Sequence, residues 1–180
     1  MKKILRWLSV TLICFSLIVI SAGVILFLFF GSTRIDDQSK CPFCNQKIID
    51  NQKIYEDDLV FVLYTHKPIF PGHCLILPKR HVERFEQLSD IEMMHIGQII
   101  RKVNVAVQKV FGTSPYLLHQ KNGWEVGQSV PHVHFHYIPR LENDGSTIKF
   151  VVNMCMAGLK GPIKPNETQE IVEKLRNAWD

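Results

Sequence analysis

The chain has 180 residues, 46% of them hydrophobic, and a formal net charge of +4, a length that suits one domain and an appendage. The positive balance sits at one end: Lys2, Lys3, Arg6 and Arg34 flank an uncharged run, no acid precedes Asp36, and the other 17 basic residues match the 17 acidic ones. With no net-basic domain, Lys/Arg run, repeat or low-complexity tract, the chain offers no electrostatic footing for nucleic acid, and none is expected as a partner.

Residues 1–6 form a basic N-terminus. Trp7 to Phe30 contains no charged residue and is mostly Leu, Ile, Val, Phe, Ser and Ala. A membrane span needs about 20 apolar residues and must be helical, because its backbone groups find partners only within the segment. A signal-peptide core is usually shorter and ends at a small-residue site, whereas this run ends Leu28-Phe29-Phe30-Gly31. Residues 7–30 are therefore expected to be a single transmembrane helix, uncleaved, with Cys14 as an apolar filler. Lys2, Lys3 and Arg6 favour a cytoplasmic N-terminus, but Arg34, Lys40 and Lys47 follow closely, so the side of the membrane the domain faces stays open.

Residues 31–40 read as a polar linker and 41–180 as the soluble domain. Cys41-Pro42-Phe43-Cys44 is a knuckle. Ile54-Tyr55-Glu56 and Leu59 to Tyr64 read as strands around a turn, and His73 to Leu77 as another, stopped by Pro78. Ser89 to Phe111 is the clearest helix: Ser89 and Glu92 fit a capping box, and Ile91, Met94, Ile99, Val103, Val107 and Val110 approximate an apolar stripe. Tyr116 to Gln120 and His132 to Ile138 read as strands, with Asn122-Gly123 as a turn signal between them. Glu167 to Trp179 reads as a final helix capped at Asn166. The fold class expected is α+β, an antiparallel sheet with one long helix and a C-terminal helix, preceded by the transmembrane helix.

In His132-Val133-His134-Phe135-His136 the strand period sends the three imidazoles to one face and Val133, Phe135 and Tyr137 to the other. Imidazole titrates near neutrality and does acid–base and metal work. Two chemistries fit: histidines holding a catalytic metal, or one imidazole acting as nucleophile. Gly127-Gln128-Ser129 and Asn122, just upstream, supply donors suited to phosphate oxygens and favour the second. Cys41 and Cys44 alone read as a zinc half-site, a disulfide or a redox pair.

The segment His132 to Ile138, with Asn122-Gly123, Gly127-Gln128-Ser129-Val130, Gly72 to Lys79 and His81, resembles the histidine triad family over roughly Cys41 to Arg140, in the manner of its bacterial members. The resemblance implies hydrolysis or transfer of a nucleoside monophosphate from a phosphoramidate or dinucleoside polyphosphate. His134 would be the nucleophile, forming a nucleotidyl-histidine, with His136 and His73 as further catalytic residues. Asn122, Gly127, Gln128 and Ser129 would bind the substrate, a purine nucleotide. It also implies a structural zinc held by Cys41, Cys44, His81 and His132, and a homodimer. Family members often carry an acid where this chain has Thr65, so ribose contact there would fall to Tyr64, His66 or a neighbour. Trp124 would stack on a base or pack beneath its loop. A membrane-held nucleotide sensor and a zinc-dependent hydrolase using the three histidines as ligands are the competing readings.

Overall fold

The computed structural model describes Ser16, residues 38–140, 147–157, Leu159 and 161–179. The span expected over 7–30 lies outside the described residues, among which no helix is long and apolar enough to cross a membrane.

In chain order the elements are α1 (Gln46–Gln52), β1 (Lys53–Glu56), β2 (Val60–Tyr64), β3 (Cys74–Pro78), α2 (Asp90–Phe111), β4 (Tyr116–Gln120), β5 (Phe135–Pro139), α3 (Thr147–Ala157) and α4 (Pro165–Asn177). The strands form one antiparallel sheet in the order β1-β2-β3-β5-β4. The expected α+β class stands.

β2 and β3 are buried at every position, which is why their apolar residues run on without alternation. One face carries Val60, Val62, Tyr64, Cys74, Ile76 and Tyr137, packed against Ile96, Ile99, Val103 and Val107 of α2 and Val172 and Leu175 of α4. The other carries Phe61, Leu63, Leu75 and Leu77, covered by Cys41, Phe43 and Ile49. Removing one such side chain from water contributes about 1.5–3 kcal/mol. The two layers therefore fix the register on which the histidines depend.

The capping box of α2 is present, with Ser89 and Glu92 each accepting from the other's backbone N–H, and Gly112 closes the helix at φ +69°. The buried stripe is Ile96, Ile99, Ile100, Val103, Ala106 and Val107. Ile91 and Met94, expected in it, are exposed: the helical period puts them on the side away from Glu92 and Ile96, where the buried face begins. α4 begins two residues before the expected Glu167, at Pro165, with Lys164 and not Asn166 as its cap. Proline suits this first position because its missing N–H has no partner to lose there. α1 and α3 were not anticipated.

β3 retains Pro78, opposite Val60 of β2. Its pairing with β5 ends at Ile76, so the missing proline N–H costs nothing on that side, and the Pro78 carbonyl is left for another donor.

Candidate active site and metal centre

The chain around the histidines is held on both sides. β5 starts at Phe135, so His132 and His134 precede the ladder. The alternation still holds through the bend: Val133 and Tyr137 are in the core with Phe135 against it. His136 pairs with Leu75 of β3 on one side and His119 of β4 on the other.

Backbone partners settle which ring nitrogens carry hydrogen. His134 Nδ1 lies 2.6 Å from the His132 carbonyl oxygen. A carbonyl only accepts, so Nδ1 is the donor and Nε2 keeps its lone pair. The Ile69 amide donates to His73 Nδ1 at 3.2 Å, so His73 carries its hydrogen on Nε2. That nitrogen is 3.0 Å from His136 Nδ1, which must accept, so His136 Nε2 is itself a donor. Burial, the largest influence, holds all three imidazoles neutral: His134 is pulled down to about 4 against a push from the His132 carbonyl, and His73 to about 3. His136 is lowered further by burial and by His134 and His73.

His134 and His136 line a cavity of about 460 Å³ with Phe43, Thr65, Leu75 and Ser129. Its mostly apolar wall beside a few polar atoms is the usual make-up of a small-molecule site. A second cavity of about 280 Å³, lined by Arg84, Trp124, Gln128 and Ser129 among others, shares Ser129 with the first.

His132 does a different job from its neighbours. Its Nε2 donates to the Pro78 carbonyl at 2.9 Å, leaving the Nδ1 lone pair 3.6 Å from Cys41 Sγ and 3.7 Å from Cys44 Sγ. His81 Nδ1 is 3.3 Å from Cys44 Sγ, and the four donor atoms lie within 4.8 Å of one another. Tetrahedral zinc with bonds of about 2.0–2.3 Å sets its donors some 3.3–3.8 Å apart, so the residues fit the ion. The Pro78 carbonyl, on the far ring nitrogen of His132, is the kind of outer partner that orients a ligating imidazole. Cys41 is buried and Cys44 exposed as free thiols, so the disulfide alternative is not formed. A metal shared by all three triad histidines is not arranged either, since His132 turns Nδ1 to the two thiols and Nε2 to the Pro78 carbonyl and has no nitrogen left for the side of His134 and His136.

The predicted substrate-binding residues divide. Ser129 reaches the cavity. Asn122 does not line it: its side chain accepts from Phe85 N at 2.9 Å and donates to Glu86 at 2.8 Å. Buried Gln128 accepts from Gly123 N at 2.6 Å and donates to the Glu83 carbonyl at 2.7 Å. The Gly127 amide is committed to the Trp124 carbonyl at 2.8 Å, with φ +80° at Gly127. These three shape the loop that presents Ser129. Tyr64, considered for the ribose, is in the core on the opposite face, whereas Thr65 and His66 line the cavity. Trp124 is partly exposed beside the second cavity.

Sequence reasoning missed two neighbours. His119 stacks on His136 with ring centres 4.6 Å apart and planes 13° from parallel, and Phe43 lies 5.0 Å from the His134 ring. The only signal for His119 was its place on a strand, and nothing in the sequence gave the register that sets it opposite His136.

Fold and site together define an α+β protein with a buried, neutral imidazole cluster beside a Cys2His2 donor set. The family profile described as the HIT domain matches residues 46–143. An uncharacterized HIT-like protein of Methanocaldococcus jannaschii is 35% identical over 140 residues, which cover 76% of this chain and 98% of that one. The asymmetrical bis(5'-nucleosyl)-tetraphosphatase of Schizosaccharomyces pombe is 38% identical over 98 residues, 54% of each chain, so only about half of that enzyme is matched. A crystal structure of a HIT-like protein from Bartonella henselae superposes with a TM-score of 0.62 at 28% identity, covering 79% of this chain and 98% of that one. The chain belongs to the HIT family, whose members include nucleotide hydrolases.

Proposed function

We propose that this protein is a HIT-family enzyme that hydrolyses or transfers a nucleoside monophosphate, taken from a nucleotide phosphoramidate or a dinucleoside polyphosphate, through His134. The observation that carries this is the 2.6 Å bond from His134 Nδ1 to the His132 carbonyl, which leaves a neutral ring with an unprotonated Nε2 beside the cavity. That nitrogen attacks the α-phosphorus, forming an N–P bond as the bond to the leaving group breaks. The imidazolium that develops goes on donating its Nδ1–H to the His132 carbonyl oxygen. His136 Nε2–H donates to the phosphoryl or leaving-group oxygen or nitrogen as charge gathers there, and the Ser129 hydroxyl adds a second donor. Water then cleaves the N–P bond, releasing the monophosphate and restoring the ring.

Cys41, Cys44, His81 and His132 would hold a zinc ion that pins the knuckle to the site, and no step passes through it. The same reading includes the residue 7–30 membrane anchor and a homodimer. For the latter, β4 leaves an open sheet edge with Tyr116, Leu117 and Leu118 exposed, a surface that invites pairing.

The test is AMP release by the full chain in detergent from adenosine phosphoramidate and from a diadenosine polyphosphate, beside His134→Ala. Turnover by the parent and its loss in the variant are expected. A folded parent that binds AMP without turnover would overturn catalysis and make the protein a nucleotide sensor.

A further inference from the structure

α3 presents an aligned apolar face to solvent. Ile148, Val151, Val152, Cys155 and Met156 follow the spacing i, i+3, i+4, i+7, i+8, which places them on one side of the helix, and exposed Leu159 lies just past its end. Each is exposed, Ile148 by 76%. The opposite side is accounted for: Phe150 stacks on Phe70 with ring centres 5.5 Å apart, and Met154 packs on the same small cluster with Ile138. The helix is thus amphipathic in reverse, with a satisfied inner face and an apolar outer one. Ile91 and Met94 of α2 are as exposed but form no stripe of this length.

The rest of the chain says what covers it. Residues 7–30 are uncharged, and residues 31–40 join them to the knuckle at Cys41; ten extended residues span about 35 Å at most. A domain on so short a tether sees a bilayer at high effective concentration, so a weak apolar patch suffices. α3 carries no acidic residue, Lys149 lies in its first turn, and Lys160 follows its end in the sequence, as suits the headgroup zone of an anionic leaflet.

We propose that the outer face of α3 is a membrane-docking surface that lies in the lipid headgroup region of the bilayer to which residues 7–30 anchor the chain. The inference rests on the anchor reading above.

The test uses the full chain, with Cys14→Ser so that the stripe thiol is the reactive one, metal-loaded and labelled with bimane at Cys155. It is reconstituted at one copy per nanodisc in phosphatidylcholine and phosphatidylserine, with and without brominated acyl chains. Bromolipid quenching is expected, at least twofold, and Val152→Asp should abolish it while AMP release is unchanged. Absence of quenching in a chain that resists alkaline extraction from vesicles overturns the docking surface and leaves the anchor intact. Protection of the label only in discs loaded with two copies also overturns it, in favour of a second copy of this chain. If alkali extracts the chain, the anchor reading itself fails and the docking surface with it.

Discussion

His73 Nε2 lies 3.0 Å from His136 Nδ1, and the Ile69 amide behind His73 decides which of the two carries the hydrogen. A main-chain N–H, which cannot give up its hydrogen, thereby sets the polarity of two side chains in series. In the proposed reaction, the donor that His136 offers the substrate exists because His73 donates to it from behind. His73→Ala is expected to lower kcat about a hundredfold with KM little changed, by freeing His136 to adopt the other tautomer. His73→Gln, whose amide NH2 can replace the lost donor, should recover much of the loss. Equal rates in parent and both variants would break this chain of inference.

Metal content is the second expectation. The purified chain should hold about one zinc per protomer by elemental analysis, and Cys41→Ser or Cys44→Ser should lose it. Stripping the ion should lower Tm by roughly 10 °C, since a bound metal stabilises the folded state by mass action. A parent free of metal and indifferent to chelators would contradict the donor geometry.

The acid end of stability should be set in part by Glu92. It is buried at the start of α2 and receives two hydrogen bonds from Arg80, at 2.7 and 3.1 Å, and one from the Ser89 amide at 2.8 Å. Arg80 chiefly, against burial, holds its carboxyl down to about 2 from an ordinary 4.5. The native state thus favours the ionised form. Its contribution is complete above pH 4.5, falls as the unfolded chain takes up the proton, and is gone near pH 2. Glu92→Gln should cost about 1–3 kcal/mol at pH 7. The gap between the two urea midpoints should narrow steadily between pH 5 and pH 3, and a constant gap would refute the assignment.

Gln128 separates loop shaping from substrate contact. If it acts through Gly123 and the Glu83 carbonyl, as its bonds at 2.6 and 2.7 Å imply, Gln128→Ala takes the partner from a part-buried donor and acceptor. A stability loss of about 1–3 kcal/mol is expected, with a rise in KM because Ser129 is no longer presented. Unchanged stability with raised KM would instead make Gln128 a substrate ligand.

What the sequence disclosed follows the range of the forces involved. The α2 cap and the boundaries of β4 were legible because Ser89 and Glu92 act within one turn and β4 is bounded by turn signals. The histidine alternation was legible because a strand has period two. Ile91 and Met94 misled because they are apolar residues on the solvent side of α2, while the buried face opens with the polar Glu92. α3 was missed because Val151 to Met156 is nearly all apolar and no solvent face shows in such a run. Asn122, Gly127 and Gln128 sit where the resemblance places phosphate donors. Their hydrogen bonds go to Phe85, Trp124 and Gly123, partners fixed by loop geometry that no motif encodes. His119 awaited the β4–β5 register, a long-range choice.

Gly72 immediately precedes His73 at φ +88°, and a Cβ there would stand 3.1 Å from both the Phe111 ring and the Pro139 ring. The backbone ahead of the buried histidine is therefore wedged between the end of α2 and the end of β5, in a conformation that L side chains rarely adopt. Mutational drift has little room at residue 72: a side chain there strains its own backbone and asks the Phe111 and Pro139 rings to give by a few tenths of an ångström, directly ahead of His73. A position with no functional atom thus inherits the intolerance of the proposed catalytic site, and its substitution should read in a variant screen as loss of activity before loss of fold.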